Sequence, residues 1–345
     1  DHRDLHSFPT RRSSDLGIKP LYFFKTPGLF LFASEIKAII ASGLYSPDVD
    51  LAGLNEYFTF QNIISNRTLF KDIAMVPPAT NVTISLDDGR ILWKSYWDMR
   101  YEPDDSLTEE DVEGSLIAAF ENSMRRHLIS DVEIGATISG GMDSSAIIAI
   151  ASQQIRGINT FTGYFDTSKI DAEDRSVSEK DDARIIAQRF STKHHERLIG
   201  PQDVVTTLPS IVWHLEDPKV GMCYTFFLMS QLVSNYVTVN LSGTGGDELF
   251  AGYPWRYSLI DGLFEPEKFD QAYFGWWNRL TTAQEKKDLF TRSTYSQIDP
   301  QDPFTQYRRV VGPADSFSPI NRALYFDLKT FLHGFLMVED KMGMA

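Results

Sequence analysis

Apolar residues in the first hundred positions come as short runs broken by turn formers. Leu21-Tyr22-Phe23-Phe24-Lys25 and Leu29-Phe30-Leu31-Phe32-Ala33 flank Thr26-Pro27-Gly28, which predicts a β-hairpin with a turn longer than the tightest type. Ser34 is placed to cap a short helix through Ile40, stopped by Gly43, and Asp50 to cap a second one from Leu51 to Phe58. Thr80 to Leu86 and Arg90 to Tyr96 predict another hairpin around Asp87-Asp88-Gly89. Residues 17–98 thus read as strand-rich α+β. Residues 101–108, with Pro103, two aspartates and a serine, read as a linker. Thr108 then opens a long helix to about His127, with Glu109, Glu110 and Asp111 where the helix dipole favours anions.

Beyond it the pattern changes to alternation. Strands are expected at Val132 to Ile138, Asn159 to Phe165, Thr192 to Leu198 and Tyr236 to Leu241. Helices are expected at Met142 to Ile155, Ser178 to Phe190, Pro201 to Trp213 and Thr225 to Asn235. Strands alternating with crossover helices imply an open α/β parallel sheet. From about Trp255 the chain reads as helices broken at prolines, ending in an amphipathic helix from Phe331 to Ala345. The first sixteen residues, DHRDLHSFPTRRSSDL, carry neither period. They look like a translated adapter and are expected to be an artefact or disordered. The chain is expected to be a fragment at both ends.

Composition narrows the function classes. The 345 residues hold 33 Lys and Arg against 47 Asp and Glu, a net charge of −14. That excess of acid argues against nucleic acid and against an anionic membrane as partners, since both need surplus cations. Length gives a prior of about two domains. The single cysteine, Cys223, allows no intramolecular disulfide and argues against a cysteine zinc site. No apolar run is long enough to span a bilayer and no basic-then-apolar leader is present, so a cytoplasmic protein is expected.

Candidate chemistry lies in two glycine-rich loops. Ser139-Gly140-Gly141-Met142-Asp143-Ser144-Ser145 follows a predicted strand and opens a helix. Two glycines allow a tight turn that presents backbone N–H groups, the helix adds its positive end, and three serines add hydroxyls, a combination suited to phosphate. The loop is neither a Walker A loop nor a dinucleotide fingerprint. Without the Walker lysine it needs another counter-charge, and Asp143 is suited to hold Mg²⁺ against phosphate oxygens. Ser242-Gly243-Thr244-Gly245-Gly246-Asp247-Glu248 repeats the layout of strand, glycine loop, acid and helix. Two such loops at the carboxyl ends of strands would line one crevice, with Asp143 and Asp247 sharing one Mg²⁺–polyphosphate group. The alternative is that the glycines, serines and acids are only turn and helix-cap residues.

SGGMDSS together with LSGTGGDELFAGY closely resembles the synthetase domain of the glutamine-hydrolysing asparagine synthetases. The likeness extends to Gly17-Ile18-Lys19-Pro20-Leu21-Tyr22, Phe32 to Lys37, Tyr96-Trp97-Asp98, Asp182-Ala183-Arg184, His194-His195-Glu196, Glu216-Asp217-Pro218 and Val338 to Met342. It implies residues 17–100 as the C-terminal part of an α+β N-terminal-nucleophile glutaminase domain. Residues 101–345 would be a parallel-sheet ATP-pyrophosphatase domain of the adenine nucleotide α-hydrolase type. The implied reaction is that of a carbon–nitrogen ligase. ATP adenylates the side-chain carboxylate of aspartate, pyrophosphate leaves, and ammonia from glutamine displaces AMP to give asparagine. By this resemblance Ser139, Gly140, Gly141, Asp143, Ser144 and Ser145 bind pyrophosphate and Mg²⁺, and Asp247 completes the metal site. The backbone around Ile138, Gly163, Ser242 and Gly243 holds the adenosine. Small-molecule substrates are expected, and a homodimer is left open.

Three departures qualify the likeness. The family's glutaminase uses an N-terminal cysteine that this chain lacks, and Cys223, inside the synthetase region, reads as a small half-buried hydrophobe. The chain as written is therefore not expected to hydrolyse glutamine. The family carries an acid where Thr244 stands, and a hydroxyl is a poor base at neutral pH. Either Glu248 or a solvent path takes its place, or the carboxylate is not aspartate's, as in β-lactam synthetases; a non-catalytic nucleotide-binding paralogue is a further alternative. A C-terminal lysine of the family is expected to lie beyond Ala345, and Lys341 belongs to another motif. His194-His195, adjacent in a strand, point to opposite faces and read as structural. Trp276-Trp277 and the aromatics near Phe274 are expected to pack between helices. The charged stretch Lys169 to Asp182 reads as a solvated loop entering a helix.

Overall fold

The computed structural model describes residues 15–85, 88–165, 179–219 and 221–345. The first fourteen of the sixteen leader residues, the tip of the second hairpin at 86–87, and most of the charged stretch before Asp182 lie outside the described residues. The chain forms two compact units. One takes in residues through Tyr101, then Val212–Gly221 and Asp247–Met344; the other comprises Glu102–Ile211 and Met222–Gly246.

In the first unit, strands β1 (Tyr22–Thr26) and β2 (Leu29–Ala33) form the expected antiparallel hairpin, with Tyr22 opposite Ala33. Helix α1 (Ile36–Ala41) starts later than Ser34 would dictate, and Glu35 occupies the cap position without a side-chain bond. Its first turn is satisfied from far away instead: Lys37 N donates to Glu216 Oε1 at 2.8 Å. Helix α2 (Leu51–Phe60) is capped by Asp50, which accepts from the N–H groups of Ala52 and Gly53. A short strand, β3 (Ile73–Met75), pairs with β1 on the side opposite β2; nothing in the local pattern announces it. Strands β4 (Thr80–Ile84) and β5 (Ile91–Ser95) form the second hairpin.

The second unit begins with α3 (Glu109–His127), where Thr108 and Asp111 make a reciprocal capping box. Strands β6 (Ile134–Thr137), β7 (Asn159–Phe165), β8 (Lys193–Ile199) and β9 (Val239–Leu241) make one four-stranded, all-parallel sheet in the order β8-β7-β6-β9. Helices α4 (Met142–Gln154) and α5 (Lys180–Arg189) connect the first three strands. Helices α6 (Pro201–Leu215) and α7 (Cys223–Val233) lead to β9. The last strand is half the expected length. Tyr236 N and Val237 N both bond back to Val233 O, so those residues finish α7 rather than open β9.

From Asp247 the first unit resumes with helices only: α8 (Gly246–Phe250), α9 (Pro254–Tyr257), α10 (Pro266–Trp277), α11 (Ala283–Leu289), α12 (Arg292–Tyr295), α13 (Asp302–Val311), α14 (Pro319–Asp327) and α15 (His333–Gly343). Prolines stand at the starts of α9, α10, α13 and α14, where a missing N–H costs nothing. Trp277, Tyr273, Phe269, Tyr307 and Phe326 form its buried centre, as the aromatic cluster predicted. The final helix is not the one-sided element the pattern suggests. Leu328–Leu332 is a wider π-helical turn, and from Phe331 to Met342 nearly every side of the helix is covered. Among the described residues no helix is long and apolar enough to cross a membrane.

Candidate functional site

The strand order itself selects a location. From β6 the chain moves outward to β7 and then β8, and it returns to place β9 on the other side of β6. That reversal is a topological switch point, where open α/β sheets leave a crevice beyond the strand carboxyl ends. The loop at 139–145 leaves β6 and the loop beginning at Ser242 leaves β9. Because the strands are parallel neighbours, with Ala136 beside Leu241, both loops emerge at the same end of the sheet.

They are in close contact. A Cβ on Gly243 would stand 2.8 Å from Ser144 N, and a Cβ on Gly246 would fall on the Asp143 carboxylate. Only glycine fits at either place. Gly140 turns with φ +85°, and the start of α5 packs on it so closely that a Cβ would lie 2.5 Å from Asp182 Cβ. Asp143 sits in the first turn of α4, beside N–H groups that have no intrahelical partner.

The serines are bonded within the loop. Ser144 Oγ accepts from Ser139 N at 3.2 Å and lies 3.1 Å from Ser139 Oγ, and Ser145 Oγ donates to Gly141 O at 2.7 Å. Ser139 also bonds Glu179, whose carboxyl is pushed up by burial. Asp182 belongs to a motif of the family likeness, though with no role assigned to it, and Glu179 carries no signal in the sequence pattern. With Asp143 they bring acid to a loop shaped for phosphate, so an anion there needs a cation with it. The carboxylate oxygens suit Mg²⁺, which takes one or two protein carboxylates and leaves its other positions to phosphates and water. Among the described residues no group of three His, Cys, Asp or Glu side chains could hold a metal alone.

Ile138 is buried; its N donates to Phe161 O at 2.9 Å and its O accepts from Thr162 Oγ1 at 2.5 Å. Gly163 lies in β7, where a Cβ would stand 2.7 Å from Met229 Sδ, a packing reason for glycine. Thr244 Oγ1 lies 2.9 Å from Ser242 Oγ. Asp247 falls in the other unit, at the start of α8. Its neighbour Glu248 is buried there, accepts from Tyr253 OH at 2.8 Å, and has its carboxyl pushed up chiefly by burial.

The histidines have structural partners. His194 Nδ1 lies 3.1 Å from Thr160 Oγ1, while His195 Nε2 lies 3.0 Å from Asn159 Oδ1 and its ring stacks on Tyr236. Burial pushes both rings toward neutrality. Cys223 is half-buried at the start of α7, and burial pushes its thiol up, away from the reactive thiolate. Lys341 is buried against Glu216 Oε2 at 2.7 Å and Leu215 O at 3.0 Å. A cavity of about 330 Å³ lies elsewhere in the first unit, lined by Asn55, Phe274, Lys286 and Phe304 among others, and includes no residue of either loop.

A parallel sheet whose glycine loop and helix N-terminus meet at a switch point is the architecture of an ATP-pyrophosphatase-type nucleotide-binding domain. Comparison with known proteins gives the family. The asparagine synthase pattern matches residues 115–345 and the glutamine amidotransferase domain pattern matches residues 8–97. The chain belongs to the asparagine synthase family. It is 30% identical to glutamine-hydrolysing asparagine synthetase 1 of Bacillus subtilis, across 95% of this chain and 55% of that protein. It is 32% identical to asparagine synthetase 3 of the same organism, across 96% and 54%. It is also 28% identical to amidase chyE of Penicillium rubens, across 69% of this chain and 36% of that one. The chain spans about half the length of the two Bacillus relatives.

Proposed function

We propose that the protein is an ATP-dependent amide-forming ligase that activates the side-chain carboxylate of aspartate as β-aspartyl-AMP. Pyrophosphate is released and ammonia, drawn from glutamine, displaces AMP to yield asparagine. The observation that carries this reading is the meeting of two glycine loops at the β6/β9 switch point, with Gly246 giving way to the Asp143 carboxylate. Residues 17–100 are assigned to the end of a glutaminase-like domain and 101–345 to the synthetase domain.

Ser139, Gly140, Gly141, Ser144 and Ser145 bind the pyrophosphate portion of ATP through the loop backbone and hydroxyls. The serine hydroxyls exchange their present internal partners for phosphate oxygens, at little cost because hydroxyls rotate freely. Ile138, Gly163, Ser242 and Gly243 lie along the adenosine. Asp143 and Asp247 are the carboxylates that would hold Mg²⁺, whose charge would offset that of the leaving pyrophosphate. The fixed loops hold the carboxylate substrate and the α-phosphate in line, which removes entropy from the barrier.

Thr244 supports a second reading, in which another carboxylate is adenylated. Its hydroxyl is engaged with Ser242 Oγ and is a weak base. ATP–pyrophosphate exchange separates the two. Exchange that requires aspartate and is lost in Asp143→Ala supports asparagine formation. ATP binding without aspartate-dependent exchange overturns it and points to a different acceptor.

A further inference from the structure

We infer that Tyr253, Arg256 and Asp327 are positioning residues that fix the Asp247 carboxylate and thereby set how tightly a divalent cation is held with ATP. The inference rests on the proposed role of Asp247.

The turn after α8 is closed on itself. Ala251 is left-handed, with φ 58°, and Gly252 N donates to Asp247 O at 2.9 Å. The Asp247 carboxylate occupies the space where a Cβ on residue 252 would stand, so its pose depends on Gly252. The very next residue, Tyr253, donates its hydroxyl to Glu248 Oε1. Consecutive residues 252 and 253 therefore grip consecutive acids 247 and 248. A shift of Tyr253 would carry the adjoining Gly252 with it and so change the space that the Asp247 carboxylate occupies.

Tyr253 is in turn pinned from behind. The Arg256 guanidinium lies 4.1 Å from its ring centroid and donates to Asp327 Oδ2 at 2.7 Å. Asp327 is fully buried at the end of α14 and also accepts from Tyr273 OH at 2.7 Å. This anchor lies 80 residues from the carboxylate it governs. Partners of this kind, one step behind a metal ligand, change metal affinity about 10–100-fold when removed.

The test is Mn²⁺ binding followed by electron paramagnetic resonance, with the full chain and α,β-methylene-ATP, which cannot be cleaved between the α- and β-phosphorus atoms. Tyr253→Phe keeps the ring under Arg256 and removes only the bond to Glu248. It is expected to raise the Mn²⁺ dissociation constant roughly tenfold with the melting temperature nearly unchanged. Asp327→Asn is expected to do at least as much, and Asp327→Glu to recover part of the loss. Arg308→Met, which breaks the separate ion pair with Asp270 (2.6 Å), should lower stability and leave Mn²⁺ binding alone. Should Asp327→Asn not fold, Tyr253→Phe decides the matter. Weak Mn²⁺ binding in Asp247→Asn with unchanged binding in Tyr253→Phe overturns the positioning role and leaves the proposed function standing. Unchanged binding in Asp247→Asn overturns the role of Asp247 and the positioning role with it.

Discussion

The two units build their interiors from different materials. Around β6 the core is Ala136, Ile138, Ile148, Ala183 and Ala187, small or aliphatic and all nearly inaccessible. In the first unit it is Trp277, Tyr273, Phe269, Tyr307 and Phe326, in edge-on contacts such as Tyr273 against Phe326 at 5.8 Å and 81°. The aromatic core is threaded with charge: Arg322 is 1% exposed and bonds both Asp270 and Asp315, and Arg256 pairs with buried Asp327. Alanines let helices lie close on a sheet and bring backbone loops within reach of each other. Large rings fill the irregular space between short helices, and the ion pairs fix how those helices are turned. The sheet unit is thus specified mainly by backbone proximity, the helical part of the first unit by side-chain shape and pairing.

The largest stability effect is expected from the aromatic centre. Trp277→Ala should cost about 3–5 kcal/mol in urea unfolding through the lost transfer energy and the cavity left behind. Next comes a backbone test of the sheet unit. Gly246→Ala should depress aspartate-dependent ATP–pyrophosphate exchange by about 10²-fold, because the added methyl displaces the Asp143 carboxylate by about an ångström. Its circular dichroism should match the parent, and a variant with normal exchange would detach the Gly246 contact from function.

A pH titration sharpens the contrast further. His333 Nδ1 donates to Leu16 O at 3.0 Å, while Nε2 is buried without a hydrogen bond among the described residues. Burial holds its pKa down to about 4, against 6.5 for the unfolded chain. The unfolded state therefore binds the proton first, and stability is full above about pH 6.5 and falls as pH drops toward 4. Asp327 acts with the opposite sign. Burial pushes its carboxyl up to about 6, so its contribution is greatest at low pH and is lost as pH rises from about 4 to 6. His333→Gln should remove about 1–3 kcal/mol of acid sensitivity between pH 7 and 4 in thermal denaturation. The smallest effect belongs to the aliphatic core: Ile148→Val should cost about 1 kcal/mol in the same assay.

The same contrast governs what the sequence disclosed. Helix α4 and strand β7 were legible within a residue, α4 because the glycine pair marks its start and β7 because β-branched and aromatic residues follow the Gly157 turn. The two loops were legible because glycine, serine and aspartate are unusual together after a strand. What stayed hidden depends on partners distant in the chain. The first turn of α1 is capped by Glu216 rather than by Ser34, and β3 exists only because β1 offers it an edge. Glu179 and Asp182 gain their meaning from packing against Ser139 and Gly140, which no local pattern encodes. The Arg256–Asp327 pair, separated by 71 positions, is likewise invisible to any short window.

The contact between Gly246 and Asp143 also constrains the history of the two loops. Any mutation at codon 246 that adds a side chain spoils residue 143 before it alters anything else, so the two positions cannot drift independently. Across descendants of a common ancestor they should be inherited as a pair, glycine with aspartate. A lineage that has replaced one should have replaced the other and abandoned the chemistry that both serve.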